Sequence, residues 1–222
     1  MSQLLAANRD RTRLGAWCLA ELAPRVAVHG GIQGLIVNLA QNNPLPELYP
    51  GEALQGDDFD VILQAWVPSV AVWRDAFKSF GEALRSRCAK QYDYRITDWT
   101  VKHDHVLLPT GQPTSGYKLI RGLVFHPDLG AAAARRQWAH HAQLAVSVHA
   151  GTARYTQHWV DEVLTPGGPA VNGFSDLHFP SLEAMRDRYF DSPRGQQEIV
   201  HDIGHFIVAG SKRFCGQEYR IK

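Results

Sequence analysis

Cysteine is scarce in this chain and long apolar runs are absent. Only Cys18, Cys88 and Cys215 occur, with no C-x-x-C spacing. Neither a disulfide framework nor a zinc site is expected, and the thiols suit a reducing, cytoplasmic setting. No stretch approaches the ~18 apolar residues of a membrane span. The opening residues M-S-Q-L-L-A-A-N-R-D lack the basic start and apolar region of a secretory signal. Charge of one sign is missing too: 23 Lys and Arg stand against 22 Asp and Glu, with no block of like charge. That argues against nucleic acid, since phosphate binding needs clustered Lys and Arg. There is no H-E-x-x-H, P-loop or dinucleotide glycine pattern, so no metal and no cofactor are expected.

What is present is an internal echo. P-S-V-A-V-W-R-D at 68–75 returns as P-S-L-E-A-M-R-D at 180–187, and A-P-R-V-A-V-H-G-G at 23–31 as Q-L-A-V-S-V-H-A-G at 143–151. The offsets, about 112 and about 120 residues, point to one module of about 110 residues used twice. Residues 1–102 read as a first, degenerate module, 103–116 (with Pro109, Gly111, Pro113 and Gly116) as a linker, and 117–222 as the second module.

Periodicity fills in the elements. Asp10 caps a helix over 11–22 with Leu14, Trp17, Cys18 and Leu22 on one stripe, and Pro24 ends or kinks it. Strands follow at 32–39 and 59–67, with a loop at 41–58 between them. A serine-capped helix starts at Ser69, and a strand covers 92–101. The second module repeats the order: strand 117–125, helix 129–148 capped by Asp128, strands 152–164 and 171–179, a helix from Ser181 to Phe190, a short helical turn at 199–206 and a strand at 213–221. Each module reads β-α-β-β-α-β, the ferredoxin-like order. Such a sheet is covered on one face only. Two of them, face to face and sharing edges, give an α+β barrel whose inter-sheet space is expected to hold a small apolar ligand.

The run R-R-Q-W-A-H-H-A-Q-L-A-V-S-V-H-A-G-T-A-R-Y-T-Q at 135–157 resembles the EthD family of dimeric α+β barrels. The resemblance rests on Trp138, His141, Ala142, Leu144, Gly151, Arg154, Tyr155 and Gln157, with D-S-P-R-G-Q at 191–196 in support. It covers roughly 117–222. Trp138 lies three residues before His141 where the family spacing is four. The family includes muconolactone-type isomerases and polyketide cyclases, dehydratases or decarboxylases, all without cofactor. Relatives of the same barrel include cofactor-free oxygenases and haem proteins, and fold alone does not choose among them. Family barrels often form by dimerisation, so the resemblance leaves a homodimer open, but the internal duplication removes the need for one.

Eight residues stand out as candidates. His141 shares a helix face with Ala134, Trp138, Ala145 and His149; a histidine there titrates near neutrality and moves protons both ways. Tyr155 shares a strand face with Gln157 and Trp159, and its phenol can donate to an oxyanion. On the third strand Phe174, Asp176 and His178 alternate against Ser175, Leu177 and Phe179, so Asp176 could orient His178. His141, Tyr155 and His178 are thus the catalytic candidates; Trp138, His149, Trp159, Phe174 and Asp176 would bind substrate. Each histidine could equally be a hydrogen-bonded core residue. The helix dipole favours protonated His149, and its counterpart His29 argues for a shared capping role. Module one has Leu35, Glu21 and Trp66 where module two has Tyr155, His141 and His178, so one working pocket per chain is expected. The residues fit a cofactor-independent lyase or isomerase acting on a small apolar, oxygenated, aromatic-derived substrate. A cofactor-free oxygenase and a non-catalytic small-molecule-binding protein are the alternatives.

Overall fold

The computed structural model describes residues 1–41, 59–103, 110–210 and 213–222; the loop expected at 41–58 and most of the linker fall outside them. The first half runs β1 (Ser2–Ala7), α1 (Arg11–Trp17), α2 (Ala23–Ala27), β2 (Gly34–Ala40), β3 (Val61–Trp66), α3 (Val70–Phe77), α4 (Gly81–Arg87) and β4 (Cys88–Lys102). The second runs β5 (Tyr117–Phe125), α5 (Ala131–Val148), β6 (Arg154–Val163), β7 (Gly173–Phe179), α6 (Leu182–Asp187), α7 (Pro193–Ile203), β8 (Ile207–Gly210) and β9 (Phe214–Arg220). This is the β-α-β-β-α-β order twice, with β8 and the full length of α7 added.

Caps explain most helix starts. Asp10 accepts from the Thr12 and Arg13 amides, and Ser69, Ser181 and Ser192 cap α3, α6 and α7. At α5 the expectation fails: the cap is Gly130, not Asp128, and it makes no side-chain bond. Pro24 neither ends nor sharply breaks its helix. A π-helical turn, Cys18–Leu22, joins α1 to α2, and Pro24 falls in the first turn of α2, where the hydrogen-bond pattern changes from π to α.

The strands pair in the order β7-β6-β4-β1-β3-β2-β9-β5-β8, and β5 also pairs with β7. The sheet therefore closes on itself, with β8 as a side strand on β5, and no edge of the ring is left open. Helices cover both halves from outside. Trp17, Leu22, Phe77 and Phe80 pack on Leu35, Leu63 and Ala65 of the first half. Trp138 packs against Trp159 and Phe125 of the second, at ring separations of 5.0 and 5.5 Å. Gly173 lets Trp138 lie this close: a Cβ there would stand 2.4 Å from the indole. Gly173→Ala is expected to cost roughly 1–3 kcal/mol through overpacking, read as a lower urea midpoint.

The two offsets of the echo meet in the strand register. In β2–β3, Leu35 pairs with Ala65; in β6–β7, the positions displaced by about 120 and about 112, Tyr155 and Leu177, pair in the same way. At the barrel centre, Gln64 Nε2 of one half donates to Asp176 Oδ2 of the other at 3.0 Å. These are equivalent positions, so the pseudo-twofold axis passes between them.

The interior is not the apolar ligand space that the sequence led us to expect. One layer is filled by Leu4, Ile62, Tyr94, Ile120, Phe174 and Phe214. Beside it lies a buried ion network. Lys118 Nζ is 3.0 Å from Asp176 Oδ2 and 2.6 Å from Glu218 Oε2, and Arg154 also reaches Glu218. His158 bridges Asp98 at 2.7 Å and Asp176 at 3.1 Å. Three carboxylates thus face Lys118, Arg154 and His158. Alternation put charge on the inward faces of β5, β6, β7 and β9, and pairing between strands neutralises it.

Candidate functional site

The cleft of the second half lies outside the barrel, between its sheet and the helices α5 and α7. Its wall includes Trp138, His141, Ala145 and His149 of α5, Tyr155 of β6, Leu177 of β7 and Ile199 of α7. Four of the eight candidates meet here. A helix face at i, i+3, i+4 and a strand face at i, i+2 bring them together, as their spacing implied.

His141 is buried, and its Nδ1–H donates to Asp202 Oδ2 at 2.6 Å. The carboxylate can only accept, so Nε2 is the nitrogen left to the cleft. Burial pushes the His141 pKa down and outweighs the upward pull of the Asp202 hydrogen bond and charge. The ring is therefore neutral at neutral pH, a base with an orienting carboxylate behind it. Tyr155 Oη accepts from Gln157 Nε2 at 3.0 Å, while the same amide donates to the Trp138 carbonyl at 2.8 Å.

His149 departs from its expectation. Burial pushes its pKa down to about 4, against the upward pull of the bond from Nδ1 to the Tyr189 carbonyl. Desolvation overrides the helix dipole, so the ring is neutral. The shared capping role takes a different form: His149 ties the end of α5 to the segment after α6, as His29 Nε2 ties the end of α2 to Asp75 of α3 at 3.1 Å.

The other four candidates lie elsewhere. Trp159 backs Trp138 and does not line the cleft. Phe174, Asp176 and His178 sit on the inner face of β7, across the sheet from His141 and Tyr155, where Phe174 packs on Tyr94. A single site joining His178 to His141 and Tyr155 is therefore corrected: strand alternation sends the two sets to opposite sides. Nor does Asp176 orient His178. Its Oδ2 takes Gln64, His158 and Lys118, and His178 Nε2 donates to the Ser115 carbonyl at 3.0 Å.

The inner ions are strongly perturbed. Burial would raise the Asp176 pKa, but Lys118 and His158, with Arg154 further off, hold it far below the carboxylate range. Lys118 and Arg154 likewise hold Glu218 down to about 2 against burial. Burial disfavours charged His158, yet its bonds to Asp176 and Asp98 prevail and raise its pKa.

These directions fix a pH optimum for stability. His149 and His141 have folded pKa values below their unfolded 6.5. What they contribute is complete above that pH and is lost as pH falls, for His149 between 6.5 and about 4, about 3 kcal/mol. The raised pKa of His158 acts oppositely: its contribution is complete below 6.5 and is lost as pH rises through the folded pKa. The depressed Asp176 and Glu218 add a further loss below their unfolded values of 3.8 and 4.5. Tm should peak near pH 6.5, and His149→Gln should flatten the acid slope. A Tm that climbs steadily through pH 8 would contradict this.

Three residues escaped the sequence reading. Asp202 lies 61 positions from His141, on a helix legible only as a turn. Arg121 and Arg213 also line the cleft. Arg121 had a signal: it shares the helix-facing side of β5 with Leu119 and Leu123, a charge within an otherwise apolar set.

A haem does not fit here. The cleft encloses about 60 Å³, far less than a porphyrin. Among the described residues no group of three or more His, Cys, Asp or Glu is placed to hold a metal ion, and no helix is long and apolar enough to cross a membrane.

Closed ring, doubled module and outer helices define an α+β barrel with two ferredoxin-like halves. Residues 126–210 match the EthD domain model, and this stretch contains His141, Tyr155 and Ile199 of the cleft wall. No curated protein matches the chain. Several solved structures share the fold. A proposed monooxygenase from Lactobacillus acidophilus NCFM is 12% identical, with a TM-score of 0.53 over 100% of this chain and 92% of that one. An anthrone oxidase-like protein is 9% identical, with a TM-score of 0.56 over 100% and 90%. A mutant chlorite dismutase from Candidatus Nitrospira defluvii is 11% identical, with a TM-score of 0.56 over 98% and 89%.

Proposed function

We propose that the cleft is the active site of an enzyme that moves a proton on a small oxygenated substrate, without cofactor, by lyase or isomerase chemistry. The carrying observation is the His141–Asp202 pair, 2.6 Å apart, at the wall of the cleft. His141 Nε2 takes a proton from the carbon beside a carbonyl. Asp202 holds the tautomer and steadies the imidazolium that forms. Tyr155 Oη, polarised by the bond it accepts from Gln157, donates to the developing enolate oxygen. The imidazolium then returns its proton to another carbon, for isomerisation, or to a departing hydroxyl, for dehydration.

Volume narrows the substrate. The space of about 60 Å³ takes on the order of five waters, so a compact oxygenated molecule fits and a fused-ring one does not. A second reading keeps the same base: the carbanion reacts with O₂ in a cofactor-free oxygenation. The solved structures of this fold that carry monooxygenase and anthrone oxidase-like names favour it. Mass spectrometry of a panel of small lactones and hydroxy ketones separates these readings. Loss of water or carbon dioxide, or rearrangement at constant mass, supports the lyase or isomerase. Gain of oxygen replaces it with the oxygenase, and a retained ligand without conversion replaces both with a binding protein.

A further inference from the structure

The first half of the chain has a cleft of its own. It lies between helices α3 and α4 and strands β1 and β4, and it encloses about 280 Å³, against about 60 Å³ for the cleft of the second half. Trp73, Phe77, Leu84 and Leu164 supply its apolar wall, with the Trp73 and Phe77 rings 4.3 Å apart. Arg74, Lys78 and Arg85 also line it. All three are exposed, so they stand at the mouth. Among the described residues none of them has a carboxylate partner.

The floor has the opposite character. Gln3 is 1% exposed and Asp93 half-buried. Asp93 Oδ1 accepts from Gln3 Nε2 at 2.8 Å and from Trp73 Nε1 at 3.0 Å. The first bond fixes the orientation of the Gln3 amide and leaves its Oε1 buried without a hydrogen-bond partner. A buried acceptor left unmet costs stability until a donor reaches it. Among the described residues no Lys or Arg pairs with Asp93. The barrel register shows what differs between the halves. Ser2 pairs with Gln64 and Tyr94 as Ile120 pairs with Asp176 and Phe214. One step along, Gln3 and Asp93 therefore hold the places of Arg121 and Arg213, which line the other cleft. Two basic residues in the second half are replaced by an amide and a carboxylate in the first, so the two clefts suit different ligands.

We infer that this first-half cleft binds a single-ring aromatic acid carrying a hydroxyl or amino group at the end of the ring opposite its carboxylate. The ring fills the apolar space beside Trp73 and Phe77. The carboxylate meets the three cations at the mouth, a ring's length from Asp93. The hydroxyl or amine donates to Gln3 Oε1 or to Asp93 at the floor. Among the described lining residues there is no His, Cys, Ser or Thr, and the role assigned is binding alone. It stands apart from the catalytic reading of the other cleft, and neither depends on the other.

The test is calorimetric titration of the whole protein with 4-hydroxybenzoate, beside benzoate and phenol, which each lack one end. The hydroxy acid should bind saturably, and each analogue at least about fivefold more weakly. Arg74→Gln, Lys78→Gln and Arg85→Gln combined should weaken the hydroxy acid about tenfold or more. Benzoate should lose as much, and phenol almost nothing. These side chains are exposed, so the combined variant should keep its Tm and decides the matter even if a floor variant fails to fold. Gln3→Met removes the unmet acceptor and should narrow the gap between the hydroxy acid and benzoate. His141→Ala should leave all three affinities unchanged, because the ring does not fit the cleft of about 60 Å³. Equal affinity for the three compounds, no binding of the hydroxy acid at millimolar concentration, or unchanged affinity in the combined variant would overturn the inference. A loss of affinity in His141→Ala would put the ligand in the other cleft and overturn it too.

Discussion

Replacing Asp176 with alanine is expected to cost about 3–5 kcal/mol, a large share of what holds a typical domain together. One oxygen, Asp176 Oδ2, accepts from Gln64 Nε2 at 3.0 Å, His158 Nε2 at 3.1 Å and Lys118 Nζ at 3.0 Å. Gln64 is oriented by donors on its other end: Lys118 Nζ and Asn38 Nδ2 both reach its Oε1. Gln64 Nε2 and His158 Nε2, 3.1 Å apart, are therefore two donors sharing one carboxylate. Without Asp176, His158 and Lys118 would be buried beside Glu218 and Asp98 alone, and His158 would lose its proton. Asp176→Asn separates charge from shape. It keeps the outline, and its amide can occupy the position of Oδ1, which has no hydrogen-bond partner. A smaller loss than alanine is expected, with the alkaline fall in stability shifted to lower pH. Urea midpoints at pH 6 and pH 8 read both effects. An alanine variant within 1 kcal/mol of the parent, about the worth of an exposed pair, would show that water relieves the network.

Much of the fold was legible because the chain states it twice. The offsets of about 112 and about 120 residues map Leu35–Ala65 onto Tyr155–Leu177, and that is the strand register observed. The echo does not show which positions meet across the barrel. Asn38 and Gln64 in the first half occupy the places of His158 and Asp176 in the second, and the amide pair repeats the ion pair around the same axis. Both faces of β7 were readable from alternation. What failed was the side on which the cavity lies. A closed barrel packs its interior with Phe174, Tyr94 and their neighbours, and the open space remains where α5 and α7 splay from the sheet. A pairing remote in sequence, such as His141–Asp202, leaves no periodic trace and was out of reach.

His141→Ala should lower kcat by about a hundred- to ten-thousand-fold on whichever small lactone or acid the protein turns over, with little change in Tm. The residue lies at the cleft wall and touches Phe206 and Asp202; alanine removes a base without exposing a core layer. Asp202 acts through His141, and its variants should show that in the pH profile. The free-enzyme rate should rise with pH through a folded pKa lying below the usual 6.5, because only the neutral ring accepts a proton. Asp202 pulls that pKa up against burial. Asp202→Ala should therefore move the acid limb of kcat/KM further down in pH while lowering its plateau. Asp202→Asn, which can still accept from Nδ1–H, should restore most of the plateau but not the position of the limb. A merely structural Asp202 would change the plateau and leave the limb in place. Turnover in His141→Ala within three-fold of the parent, far less than a proton-transferring group supplies, would take the base out of the cleft and the lyase reading with it.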